Sequence, residues 1–138
     1  MGVETASEMA AMEAVCGSSR ELVLCADDFG LGEEIDEAIL ALIAAGRLTA
    51  TGCMVGGRRF AVDAPRLAGL ADRADVGLHF TLTELPPLGE MPHFAPAGRP
   101  QRLGSVLLRS LTGRLVYEEI KAEIGRQIGR FREVFGRS

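Results

Sequence analysis

Two adjacent carboxylates and one histidine carry the chemistry that can be read in this chain. Asp27 and Asp28 close the short apolar run Leu22-Val23-Leu24-Cys25-Ala26, and Phe29-Gly30-Leu31-Gly32 turns the chain directly after them. Like charges side by side at the end of a buried strand are costly unless something positive neutralises them. A divalent cation is the usual answer, because carboxylate oxygens are hard ligands. The competing reading makes one Asp a helix cap and leaves the other solvated, which is common at strand–helix turns. His79 lies within a later segment of strand character, DVGLHFTLT. An Asp and a His from different strands are a reasonable start to a catalytic divalent site that keeps a position open for water. Taken alone, such a histidine also reads as a satisfied core residue.

These residues need elements to bring them together. The run from Leu22 to Ala26 has the length and branched content of a buried strand. Leu31, Ile35, Ala38, Ile39, Leu42 and Ile43 then recur at helical spacing, and Gly46 caps a helix over about 32–45. Glu33, Glu34, Asp36 and Glu37 suit the positive end of its dipole. A second strand covers 49–55 and a second helix 58–70, with Pro65 interrupting it or moving its start. The third strand covers 75–83. The order β-α-β-α-β predicts a parallel sheet with helices on its faces, because parallel strands need long crossovers. The proline-rich stretch 84–100 is a long irregular loop, and such loops in compact domains are usually functional or disordered. A short helix follows at 103–111. Tyr117, Ile120, Ile124, Ile128, Phe131 and Phe135 then mark the apolar stripe of a long helix. Strand C-terminal ends of a parallel sheet converge on one face, so Asp27, Asp28 and His79 are expected together there.

Composition narrows the partners. A chain of 138 residues, 47% hydrophobic and 25% charged, can bury one ordinary core. Its net charge of -4 argues against nucleic acid or an anionic membrane as main partner. Cys16, Cys25 and Cys53 make no CxxC pair. Two of them sit in apolar strand-like runs and read as small core residues of a reducing compartment, and with no secretory signal or apolar span the expectation is a cytoplasmic protein. Residues 1–20 are assigned as a poorly ordered leader, with a loose helix possible around 9–15, and 21–138 as one α/β unit. Neither Gly30-Leu31-Gly32 nor Gly56-Gly57 completes a phosphate-cradling motif. The basic residues from Lys121 to Arg137 are the solvated face of the last helix.

Three stretches together, CADDFGLGEEIDEAI, TGCMVGG and VGLHFTLT, resemble the opening half of the YdjC-like carbohydrate deacetylases, which include chito-oligosaccharide and hopanoid-biosynthesis deacetylases. The resemblance covers roughly 21–138. It implies the N-terminal part of a (β/α)-barrel-like fold with parallel strands, apparently truncated here, and hydrolysis of an N-acetyl group on an amino sugar or oligosaccharide. By position, Asp27 resembles the family's catalytic base, and Asp28 and His79 match ligands of a divalent metal ion, Mg or Zn. The family's further metal-binding histidine belongs to a strand that would follow 131–138. His93, in a proline-flanked loop, does not match it. With half a barrel and an open strand edge, the chain is expected to form a homo-oligomer. Two other classes stand beside the hydrolase: a non-catalytic fragment or pseudoenzyme acting through association, and a Mg-binding receiver-type signalling domain. The receiver would need an aspartate at the end of strand three, where Val76-Gly77-Leu78-His79 stands.

Overall fold

A computed structural model describes residues 22–136. The expected leader over 1–20, with Cys16 inside it, lies outside the described residues. The elements are β1 (Cys25–Phe29), α1 (Glu33–Ala44), β2 (Ala50–Cys53), α2 (Phe60–Ala68), β3 (Asp75–Leu78), a 3₁₀ turn at Pro96–Gly98, α3 (Leu103–Leu111) and α4 (Tyr117–Phe135). The three strands form one parallel sheet in the order β1-β2-β3. This is the α/β class with parallel strands that the β-α-β-α-β rhythm predicts.

Gly46 ends α1 in the left-handed region, at φ 65°. Its N–H reaches Ile43 O at 2.9 Å and Arg47 N–H reaches Leu42 O at 2.8 Å, so the last orphan carbonyls are satisfied. In α2, Pro65 neither interrupts the helix nor moves its start. It sits inside the helix, where it only withholds one N–H from a short segment otherwise held by its buried face of Phe60, Ala64 and Leu67.

The core lies on one side of the sheet. Ala26, Cys53, Val76 and Leu78 from the strands meet Ile39, Leu40 and Ile43 of α1, Phe60, Ala64 and Leu67 of α2, and Phe131 of α4. The residues that alternate with them, Cys25, Asp27, Asp75 and Gly77, are exposed. The element order predicts helices on both faces; among the described residues the helical cover is on one.

Other expectations are corrected. β1 begins at Cys25 and runs through both aspartates to Phe29. Leu22, Val23 and Leu24 are 79%, 70% and 51% exposed, because they precede the level at which α1 and α2 cover the sheet. Cys25, expected in the core, points to the open face and is exposed, whereas Cys53 is buried. β3 ends at Leu78 rather than Thr83, since the last rung is His79 N–H to Cys53 O at 2.9 Å.

The long loop is irregular, as predicted, yet it is tightly held. Met91, Phe94 and Ala95 form a second small core with Leu82, Val106, Leu115 and Ile120. The inward face of α4 differs from the apolar stripe. Glu123, Gln127 and Phe131 are its buried residues, while Tyr117 is 69% and Ile124 37% exposed. The reason is what the helix covers. A loop presents unpaired backbone amides, and these require polar acceptors rather than hydrocarbon.

Candidate functional site

The paired acids occupy a β-bulge. Ala26 pairs with Thr51 and Phe29 with Cys53, so Asp27 and Asp28 together stand opposite Gly52 alone. Asp28 takes up the extra residue in the left-handed region at φ 71°, a conformation that aspartate tolerates better than most side chains. Because of the bulge the two carboxylates need not point to opposite faces, as neighbours in a regular strand do.

The turn behind them is fixed by backbone contact. Leu31 N–H donates to Asp28 O at 3.1 Å, Met54 N–H to Phe29 O at 2.8 Å and Arg59 N–H to Gly30 O at 3.1 Å. Gly30 itself has φ 97°. A methyl group on Gly57 would overlap the Gly30 carbonyl, so the turns after β1 and β2 touch main chain to main chain only because both are glycine there. From α1, Asp36 reaches back and accepts the Gly30 N–H at 2.7 Å.

His79 emerges one residue past β3, and its Nδ1 lies 3.5 Å from Asp28 Oδ1. No hydrogen bond joins them. His79 Nδ1 is a buried ring nitrogen without a partner. Gly52 is the floor between the groups: a Cβ there would stand 2.9 Å from Asp27 Oδ1 and 3.3 Å from His79 Cβ. All three predicted residues therefore meet at the same strand ends. Asp27 faces the open side of the sheet, beside a depression of about 410 Å³ also lined by Cys25, Gly52, Gly77 and His79. Burial, then the neighbouring Asp27 carboxylate, push the Cys25 thiol up, so it stays protonated and its Sγ donates to Asp27 Oδ1 at 3.9 Å.

An unpartnered imidazole nitrogen beside a carboxylate oxygen is a donor set that suits a divalent cation. Asp28 and His79 are thus the two side chains able to hold one. Among the described residues no group of three His, Cys, Asp or Glu side chains is arranged to hold a metal. His93 stands apart: it is exposed, and its Nδ1 lies 2.6 Å from Glu119 Oε1.

Several supporting residues carry no obvious mark in the sequence. Asp36 falls among the dipole-facing acids of α1, but it is fully buried. Its place three and four residues before Ile39 and Leu40, on the core face, is the available signal. Gln127 closes a two-way bond with Thr81, just after His79: Thr81 N–H donates to Oε1 at 3.1 Å and Nε2 donates to Thr81 O at 2.8 Å. Glu123 accepts the N–H groups of Leu88 (2.8 Å) and Gly89 (3.3 Å).

Comparison with known proteins agrees with this architecture. A family model described as YdjC-like protein matches residues 21–138. The chain is 38% identical over 120 residues to a chitooligosaccharide deacetylase of Escherichia fergusonii, covering 86% of this chain and 46% of that protein. It is 34% identical over 124 residues to a carbohydrate deacetylase of Mus musculus, covering 85% of this chain and 39% of that one. The chain spans about half the length of the curated relatives it matches. Among solved structures it is similar to a cellobiose-phosphate cleavage protein of Enterococcus faecalis, with a TM-score of 0.70 and 24% identity over 87% of this chain and 46% of that one. At that identity the likeness concerns the fold alone.

Proposed function

Because the chain belongs to the YdjC-like family, we propose that it is the metal-binding portion of a hydrolase that removes an N-acetyl group from an amino sugar or oligosaccharide. The observation that carries this reading is the unpaired, buried His79 Nδ1 standing 3.5 Å from Asp28 Oδ1. In it, Asp28 and His79 hold a divalent ion, Mg or Zn, and Asp27 is the base. Bound there, the ion would lower the pKa of a water and polarise the acetyl carbonyl.

The chain's own residues do the rest. Asp27, on the open face above Gly52, takes the proton of the attacking water and returns it to the departing amine. Gly52 leaves room for Asp27 and His79 to approach across the floor of the site. The flat, small-residue surface of Gly52 and Gly77 lets a sugar ring lie close to the carboxylate. An amide is a poor electrophile, so stabilisation of the developing oxyanion supplies much of the rate gain.

Family membership argues against the receiver-type alternative. No helix among the described residues is long and apolar enough to cross a membrane. The free Cys25 and Cys53 thiols suit a reducing, cytoplasmic setting. The roles are separable by calorimetry and acetate release. Asp28→Ala is expected to abolish divalent-ion binding, whereas Asp27→Asn keeps the ion and loses turnover of an N-acetylated sugar oligomer. Equal loss of the ion in both variants would contradict the division, and an ion bound without any acetate release would favour a non-catalytic role.

A further inference from the structure

The outer face of α3 is left unused by the proposed chemistry. The helix has no buried residue. Leu103, Leu107, Leu108 and Leu111 are 62%, 54%, 63% and 87% exposed. Spacings of three and four place them on one face, away from Val106, which packs into the second small core, and from Arg109. Gly104 completes that face, so it holds no charge. Single apolar residues on a surface are ordinary, whereas four leucines on one exposed helix face mark a docking surface.

A cationic depression adjoins the leucines. Leu108 belongs to both, and His93, Ser105, Arg109, Thr112 and Arg114 line the rest of a space of about 490 Å³. Arg109 is held in place there, since its Nη1 donates to Phe94 O at 2.8 Å and to His93 O at 3.3 Å. The acid beside it, Glu119, is already taken up by the His93 ring and by the His93 and Phe94 amides. From Met91 to Tyr117 the chain has four arginines, Arg99, Arg102, Arg109 and Arg114, and no acidic residue. None of the four meets a carboxylate among the described residues. The net charge of -4 is thus an average over an uneven chain, and around α3 the sign is reversed. We infer that α3 docks on an anionic phospholipid surface, its leucines entering the boundary of the acyl chains and the depression taking a headgroup phosphate.

The two features together decide between occupants. An apolar helix face with basic residues beside it lies in a lipid interface through both buried area and attraction to anionic headgroups. Guanidinium groups match phosphate oxygens with a planar fork of donors. A second copy meeting α3 about a two-fold axis would instead set the arginines of one copy against those of the other. The inference is independent of an ion at Asp28 and His79, and its test needs none.

Co-sedimentation with vesicles is the measurement, first of phosphatidylcholine alone and then of phosphatidylcholine and phosphatidylglycerol in equal parts. Binding is expected to the mixed vesicles, to be weak to the neutral ones, and to fall as salt is raised. Arg114→Gln removes one charge near the surface and should weaken it about fivefold. Leu111→Ser leaves the charge alone and should weaken it about tenfold. Leu22→Ser alters a leucine that is 79% exposed elsewhere on the chain, and should change nothing. No binding to the mixed vesicles, equal binding to both kinds, or an equal loss in Leu22→Ser would overturn the inference. A dimer that Leu111→Ser dissociates, with no vesicle bound, would overturn it in favour of a contact between copies. Inorganic phosphate held by the unmodified chain and lost in Arg114→Gln, again with no vesicle bound, would make the depression a site for a free anion instead.

Discussion

Removing the Gln127 side chain should weaken both the fold and the site. Gln127 is 2% exposed and Thr81 6%, so the two bonds between them lie out of reach of solvent. In Gln127→Ala the Thr81 N–H and C=O lose their partners, and Glu123 Oε1 loses the donor it had at 2.9 Å. A buried polar group left unpaired costs about 1–3 kcal/mol. Two such backbone groups, less whatever a water entering the space restores, give an expected loss of about 2–4 kcal/mol. That is a large share of the ~5–15 kcal/mol typical of a domain. Urea unfolding measures it as a lower midpoint at similar slope. Thr81 follows His79 by two residues, so freeing it also releases the imidazole from its place over Gly52. Loss of such a supporting contact commonly costs about ten- to a hundredfold in metal affinity. Gln127→Glu keeps the volume but sets a carboxylate against Thr81 O and Glu123, and should be no better. A loss under about 1 kcal/mol with unaltered ion affinity would refute the idea that α4 holds the exit of β3.

Two further outcomes are expected. Gly57→Ala forces apart the turns that meet at Gly30, and overpacking of this kind should cost about 3 kcal/mol and loosen Asp28, read by thermal unfolding and ion titration. Burial alone would raise Glu119, but donation from the His93 ring and the Phe94 and His93 amides brings it below its ordinary 4.5. Its stabilisation is therefore present above that value and lost as pH falls through the lower folded one, so Glu119→Gln should flatten the acid limb of a melting curve taken from pH 3 to 6.

Asp27, Asp28 and His79 are legible in the sequence because charge at the end of apolar runs is conspicuous, and a β-α-β-α-β order forces strand ends together. The bulge is not. It exists only in the pairing of two β1 residues against Gly52, and no single strand announces its register. The exposure of Cys25 has the same cause, since which face is covered depends on where the helices lie. On α4, apolar periodicity finds the face that would meet hydrocarbon, whereas this helix meets loop amides through Glu119, Glu123 and Gln127, spaced by four. The spacing is in the sequence; the surface it answers is not.

The same contacts determine how the site is held. The sheet delivers Asp28 and His79 to the same height, His79 on its last rung, and the chain that follows each of them leaves the ladder. The Gly30 and Thr81 backbones are instead gripped by buried side chains, Asp36 from α1 and Gln127 from α4. A polar side chain can be made to release its hold by one substitution, which a ladder rung cannot. The precision of this site is therefore set by two helices, and that is where variants that tune it should be sought.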